Sequence, residues 1–304
     1  MSENLSKLFT TQFSTNIELL LQQMGSKFRG RVREGTHVGK QASPINQIGS
    51  IVLKAPAGRF APKNRTDADF TRRWVFPQDG EIDQLIDSFD ELRTIVDPKS
   101  MYVTNASMAV GRGWDDAIIA SFFGTAQTGA DAGGLSPETF STTNFQIAST
   151  FGASSAAGLT VAKLIEAQRI FLHYHNDLEA DMPTIAIGSQ QNSDLLNQVQ
   201  VVSTEFNDKP VLVDGKVRRF LGFDIIMSER LSTASNVRNC PVWVKSGMYL
   251  GMWQELTNNA SIRHDLSSEP YDLYTKTSFG ASRLQPGKVL SILCSDTSGA
   301  DITP

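Results

Sequence analysis

The sequence predicts an α+β fold, and three observations predict it. Apolar residues recur at spacings of three and four in several stretches of the first 180 residues, the mark of amphipathic helices. After Pro183 the pattern changes to short apolar runs bounded by Gly, Pro, Asn and Ser, the mark of strands. Between the first and second helical stretches lies a long basic segment broken by Gly and Pro, which reads as an extended excursion. With 304 residues, 40% of them hydrophobic and 9% aromatic, the chain can form one large domain or two lobes with real cores.

Taken in order, Phe13, Ile17, Leu20 and Met24, with Leu21 beside them, form the stripe of a short helix over residues 11–24, capped by Ser14 or Thr15. Strand-like pieces near Ile48–Lys54 and Phe70–Phe76, separated by the Pro- and Gly-rich Ala55–Ala68, describe a projecting hairpin. Glu81–Val96 sets Ile82, Leu85, Ile86, Phe89, Leu92 and Ile95 against a carboxylate face, predicting a helix that stops at Asp97-Pro98. Pro98 then opens a helix to about Thr125, with Met101, Ala106, Val110, Trp114, Ile118 and Phe122 in register. Its length is about 40 Å at 1.5 Å per residue.

Thr128–Leu159, rich in Gly, Ala, Ser and Thr, is expected to be surface loop and the boundary between lobes, with a little strand around Phe145–Ala148. Thr160 caps a helix to about Leu178 that carries Val161, Leu164, Ile165, Gln168, Phe171 and Leu172 on one face. Thr184–Ile187 reads as a buried strand and Ser193–Val199 as a short helix. Strands are expected at Val211–Val213, Phe220–Met227, Val242–Lys245, Met248–Trp253, Ser261–Leu266, Tyr271–Ser278 and Val289–Cys294. The second half is therefore expected to lay helices over a mostly antiparallel sheet.

Charge is divided unevenly along this plan. From Lys27 to Arg73 eleven basic residues stand against three acidic ones, about +8. From Asp79 to Asp97 seven acidic residues stand against Arg93 alone, about −6. A basic arm and an acidic body on one polypeptide can pair between identical copies, which points to self-assembly. The candidate interface residues are Arg59, Arg65, Arg72 and Arg73 on the basic side. Asp83, Asp87, Asp90, Glu91, Asp115 and Asp116 are their acidic counterparts. The whole chain carries −4, so it has no global drive toward nucleic acid or an anionic membrane. No apolar run reaches the ~20 residues of a membrane span, and the polar N-terminus is no secretory signal, so a cytoplasmic setting is expected.

The motifs of enzymes are missing: there is no G-x-x-x-x-G-K-[ST], no G-x-S-x-G and no H-E-x-x-H. Thr128-Gly-Ala-Asp-Ala-Gly-Gly lacks the preceding strand and the phosphate-facing Lys of a phosphate cradle. His173 and His175 stand two apart on a predicted helix and diverge, which is wrong for shared metal ligation. Cys240 and Cys294 read as small apolar residues in strands. Asp115 and Asp116 also diverge, and are expected to pair with arginines such as Arg112 or those of another copy's arm. No catalytic residue, cofactor or metal site is expected. As a nucleic-acid tail, residues 27–73 would lack a stacking array, with only Phe28, Phe60, Phe70 and Trp74 interspersed.

Several motifs, in order, resemble one family. Thr11-Gln-Phe-Ser-Thr-Asn-Ile-Glu-Leu-Leu-Leu, Arg72-Arg-Trp-Val, Ile86-Asp-Ser-Phe-Asp, Asp97-Pro-Lys-Ser, Trp114-Asp-Asp-Ala-Ile-Ile and Phe123-Gly-Thr-Ala look like the opening half of tailed-phage major capsid proteins. Phe220-Leu-Gly-Phe-Asp-Ile-Ile and Phe279-Gly-Ala-Ser-Arg-Leu-Gln are similar to their closing part. The resemblance implies the Hong Kong 97 fold: an N-terminal arm over about 1–34, an E-loop over 35–77 and a P-domain over 78–159 with a spine helix near 98–125. The A-domain would lie mainly within 160–265, and 266–304 would return as strands to the P-domain.

It further implies a major capsid protein that self-assembles, as hexamers and pentamers, into an icosahedral head enclosing double-stranded DNA held by non-specific contact. Portal and scaffolding proteins are the implied partners, with decoration proteins an open question and no membrane involved. The implied location is the virion, assembled in the host bacterial cytoplasm. Some members crosslink an E-loop Lys to a neighbour's Asn, for which Lys54 or Lys63 with Asn258 or Asn259 are the only pairs here, on a weak match. The alternatives are a packaging protein that binds nucleic acid through 27–73, or an encapsulin-like cargo compartment of the same fold.

Overall fold

The computed structural model describes residues 22–40, 42–55, 58–59, 62, 65–86, 99–129, 134–198, 217–267 and 269–297. The helix expected over 11–24, apart from its last three residues, and the strand expected at Val211–Val213 lie outside them. The chain divides into two compact units. The smaller takes Met1–Ser26, Asp79–Gly113 and Gln254–Thr277, and the larger takes Lys27–Gln78, Trp114–Trp253 and Ser278–Pro304. The division does not fall in the 128–159 connection, which belongs to the larger unit.

In chain order the first half contributes β1 (Arg33–Thr36), β2 (Ala42–Ile48), β3 (Phe70–Val75), β4 (Gln78–Ile86), α1 (Lys99–Phe123), β5 (Ala126–Thr128), β6 (Ser136–Glu138), α2 (Thr142–Phe145) and β7 (Gln146–Ile147). The second half contributes α3 (Val161–His173), β8 (Pro183–Ile187), α4 (Ser189–Leu196), β9 (Arg219–Phe220), β10 (Phe223–Met227), β11 (Thr233–Ala234), β12 (Val237–Val244), β13 (Met248–Ile262), β14 (Tyr271–Arg283) and β15 (Val289–Ser295).

Helix α1 matches the expected span, and of its predicted inward residues Ala106, Val110, Trp114, Ile118 and Phe122 are buried while Met101, in its first turn, is half-buried. Thr160 caps α3 as expected, its side chain accepting from the Lys163 amide. The helix expected over Glu81–Val96 fails over 81–86, and 87–96 lie outside the described residues. Residues 81–86 are strand, not helix, and the burial along β4 alternates so that Gly80, Ile82, Gln84 and Ile86 share the covered side while Leu85 is exposed. Ile82, Leu85 and Ile86 fit a helical face, but Ile82, Gln84 and Ile86 fit a strand face equally well. Pairing with β14 settles the choice.

Three sheets form. One has the order β1-β13-β14-β4, the second β7-β15-β12-β8-β10-β9 with β11 beside β12, and the third β2-β3-β5-β6. The second is mixed, with β8/β10 and β7/β15 parallel and β12 antiparallel to both β8 and β15. It carries the core of the larger unit: Ile185, Ala186, Ile187, Val242, Trp243, Leu290 and Ile292 are fully buried, with Leu164 and Phe171 supplied by α3. The expected Phe220–Met227 strand breaks into β9 and β10 around Leu221 (φ 49°) and Gly222 (φ 78°), the two left-handed positions of a tight hairpin turn.

Candidate functional site

The basic segment that stands out in the sequence has two differently built parts, both in the larger unit. Its base, residues 27–32, is locked into the core. Phe28 is 0% exposed and stacks on Trp243 at 5.7 Å, with Phe122 tilted against it at 6.2 Å. Asp115, itself fully buried, accepts the backbone amides of Lys27 at 2.9 Å and Phe28 at 3.2 Å. The Trp243 indole donates to the Arg31 carbonyl at 2.9 Å, and the Arg31 guanidinium pairs with Asp224 on β10. The Arg29 guanidinium lies 4.8 Å over the Trp114 ring. Val32 is buried as well, and β1 then pairs in parallel with β13.

The second part is the antiparallel hairpin of β2 and β3, in register Ile48↔Phe70 and Asn46↔Arg72, with a bulge between Ala42 and Ile45. The Gly49 amide donates to the Asp69 carbonyl at 2.7 Å and extends the ladder by one step. The first strand begins earlier than the sequence suggested and ends at Ile48, so Ile51–Lys54 are not strand. The distal half of this hairpin exposes large apolar groups: Leu53 at 97%, Val52 at 71%, Phe70 at 68%, Ile48 and Ile51. Five such side chains in one short excursion are unusual for a surface that stays in water.

The expected interface residues separate accordingly. Arg59, Arg65 and Arg72 are exposed on the hairpin. Arg73 is not available to another copy in the same way: it is buried, and its guanidinium pairs with Glu138 on β6 of the same chain. Asp116 pairs with an arginine as expected, though with Arg230 and not Arg112, while Asp115 accepts the backbone amides of Lys27 and Phe28. Asp116 forms a bidentate pair with Arg230 at 2.7 and 2.5 Å, while Arg112 donates to Gln22 at 2.7 Å and to the Gln23 carbonyl at 3.1 Å. Asp83 is exposed on β4, and its carboxyl meets that of Asp272. Asp87, Asp90 and Glu91 lie outside the described residues.

Two residues carry the larger unit without having been singled out as site residues, one of them, Arg283, within the Phe279–Gln285 motif. Arg283, 1% exposed, donates to the carbonyls of Phe122 at 2.7 Å and Gly124 at 3.0 Å, and to that of Glu138 at 3.1 Å. It therefore satisfies the open carbonyls at the end of α1 and suits the negative end of the helix dipole. Burial lowers its pKa. The Gly280 of the same motif allows close approach, since a Cβ there would lie 2.2 Å from the Phe76 carbonyl oxygen. Lys163, fully buried in α3, donates to the carbonyls of Ala157, Gly158 and Leu293 at 2.9, 2.8 and 3.0 Å, and desolvation lowers its pKa. A single buried Lys in a helical stretch carries no pattern that sequence reading detects.

The two cysteines are free, buried and in strands as expected, and the Cys240 thiol is pushed well up by its hydrogen bond with Cys294 and by burial. His173 ends α3, while His175 lies beyond the helix with φ 58°. Among the described residues no helix is long and apolar enough to cross a membrane, and no three His, Cys, Asp or Glu side chains gather as a metal-ligand group.

This arrangement is shared with the building blocks of closed shells. The capsid of cyanophage P-SCSP1u is similar over 98% of this chain and 97% of that one, at 14% identity and a TM-score of 0.76. The structure of Mycobacterium phage Che8 follows with 94% and 97% coverage, 12% identity and 0.69. The capsid of the native GTA particle has 95% and 96% coverage, 10% identity and 0.69. At such identities the likeness defines the fold, which is that of capsid subunits. A model of the phage capsid protein family matches residues 5–296, and the chain belongs to that family. It is a structural component of the virion. No curated protein matches the chain.

Proposed function

We propose that the chain is the major capsid protein of a tailed phage, closing with copies of itself, as hexamers and pentamers, into an icosahedral head around double-stranded DNA. The observation that carries this reading is the β2–β3 hairpin, whose exposed Ile48, Ile51, Val52, Leu53 and Phe70 need cover that another copy can supply. Burying such side chains contributes ~1.5–3 kcal/mol each. Repetition around a closed shell multiplies a small per-contact gain. In this reading residues 1–34 are the N-terminal arm, 35–77 the E-loop of the Hong Kong 97 fold, α1 the spine helix of a P-domain over 78–159, and 160–265 mainly the A-domain.

Arg59, Arg65 and Arg72 then meet carboxylates of neighbouring copies, with Asp83, Asp87, Asp90 and Glu91 as the candidate acceptors. Arg73, Asp115 and Asp116, whose partners lie in their own chain, hold the subunit together instead. Portal and scaffolding proteins are the expected further partners. The DNA is held without sequence preference, and assembly takes place in the host bacterial cytoplasm.

The test is direct. Purified protein should give closed particles in negative-stain images and a sedimentation boundary far above that of a monomer. A chain in which residues 49–69 are replaced by a short Gly-Ser turn should stay folded and yield none. A wild-type chain that remains monomeric under all assembly conditions, or a hairpin-deleted chain that closes normally, overturns the proposal.

A further inference from the structure

The base of the basic segment and the β9–β10 hairpin bring positive charge to one place in the larger unit. Arg31 pairs with Asp224 on β10, and Arg219 stands directly across from Asp224 in the β9–β10 register. Residues facing each other across an antiparallel pair lie on the same side of the sheet, so one carboxylate serves a side that carries two arginines. Lys27 reaches the other end of β10, its ammonium donating to the Met227 carbonyl at 2.8 Å. A carbonyl takes one of the three donors and none of the charge. Arg218 precedes Arg219 on the edge strand, its carbonyl accepting from the Ile225 amide at 2.9 Å. Asp224 to Met227 spans about 10 Å at about 3.3 Å per residue, so these groups crowd a small area.

Residues 27–34 and 217–227 hold six basic groups against Glu34 and Asp224, about +4 on a chain of −4. The carboxylates of Glu34, Asp224, Asp116 and Glu229 each hold a different arginine, namely Arg29, Arg31, Arg230 and Arg238. Lys27, Arg31, Arg218 and Arg219 are exposed. The backbone that carries Lys27 and Arg31 is fixed from below, by Asp115 on the amide of residue 27 and by the Trp243 indole on the carbonyl of residue 31. This surface differs from the β2–β3 hairpin: of the large apolar residues in the two segments only Leu221, at 36%, is exposed. The core of a protein interface is apolar and poor in charge, whereas a nucleic-acid interface is polar and positive. Phe28 and Phe223 are buried and Phe220 is half-buried, so no exposed aromatic face receives unstacked bases, and a duplex fits better than a single strand.

We propose that Lys27, Arg218 and Arg219, beside Arg31, form the patch through which the inner face of the shell touches the phosphates of the enclosed duplex. The inference rests on the reading of the chain as a shell subunit around DNA, and it names the surface that meets that DNA. Screening at physiological ionic strength confines the field of the patch to about 8 Å, so the net negative charge of the whole chain does not cancel it. The patch reads no sequence, since phosphate contacts position a duplex and carry no base information.

The experiment uses the unassembled full chain and a fluorescent duplex of random sequence, with binding followed by anisotropy. About three phosphate contacts should lower affinity roughly 40-fold between about 50 and 200 mM NaCl. Arg218→Ala with Arg219→Ala should cut that fall to roughly fourfold, keep the melting temperature and still close into particles. Arg218→Lys with Arg219→Lys should keep the wild-type salt dependence, because charge carries it. Arg59→Ala with Arg65→Ala, which removes the same charge from the hairpin, should keep it too. Empty closed particles should bind no duplex from outside. A wild-type chain that closes into particles but binds no duplex overturns the patch and leaves the shell reading standing. A chain that binds duplex and never closes overturns the shell reading, and with it the enclosed surface. An Arg218→Ala, Arg219→Ala chain that binds duplex as the wild type does but no longer closes assigns the patch to the carboxylates of a neighbouring copy and overturns the proposal. Equal loss of salt dependence in the Arg59→Ala, Arg65→Ala chain, or binding to the outside of closed particles, overturns it as well.

Discussion

The base of the basic segment and the hairpin that follows it are adjacent in sequence, similar in composition and opposite in fate. Residues 27–32 sink Phe28 and Val32 into the larger unit and give their backbone amides and carbonyls to Asp115 and Trp243. Residues 48–72 turn Ile48, Ile51, Val52, Leu53 and Phe70 outward. A run of positive charge therefore does not mark one surface. The same segment is first an internal anchor and then a free edge, and the difference lies in which apolar residues find partners within the chain.

The contrast breaks most visibly at Phe28. Phe28→Ala removes a ring packed against Phe122 and Trp243 and should cost about 3–5 kcal/mol, read as a large drop in melting temperature. Unchanged melting would show that the base is not an anchor. Asp115→Ala should cost somewhat less, about 2–4 kcal/mol, because it strips a buried acceptor from the Lys27 and Phe28 amides. A fall in stability without a change in secondary structure, seen by circular dichroism, is the expected signature.

Neighbouring arginines sharpen the comparison. Arg73→Glu sets a buried charge against Glu138 and should cost about 1–3 kcal/mol, tempered by the partial exposure of the carboxylate. Arg72→Glu, one residue earlier and exposed, should cost ~0–1 kcal/mol and show its effect in assembly instead. Equal melting of the two variants would erase the inside-outside distinction drawn for β3. The smallest thermal effect belongs to the hairpin tip. Leu53→Ser with Phe70→Ser should leave melting within about 0.5 kcal/mol of wild type, yet reduce closed particles in electron micrographs to background.

Much of the plan was legible before any coordinates. The register of α1 was readable because a 3.6-residue period repeated over 25 residues leaves one consistent face, and Ala106, Val110, Trp114, Ile118 and Phe122 all lie on it. Thr160 as a cap, the buried strand at Pro183–Ile187 and the hairpin around Pro- and Gly-rich residues were readable for the same local reasons. Residues 81–86 were not, since six residues satisfy both periods and a strand more than 180 positions later makes the choice.

By itself, then, the sequence determined what depends on short range: helix periods, caps, turns, the charge couplet, and the motif order that carries the family resemblance. Tertiary structure alone decided which charges are structural. Arg72 and Arg73 are equivalent in the sequence, and alternation along β3 turns one outward and the other toward Glu138, 65 residues away. Likewise, Asp115 reads as one of two equivalent carboxylates until the helix turns it inward onto the amides of residues 27 and 28. A side chain's chemistry is local, but its partner is chosen by packing between segments distant in sequence, and no local pattern records that choice.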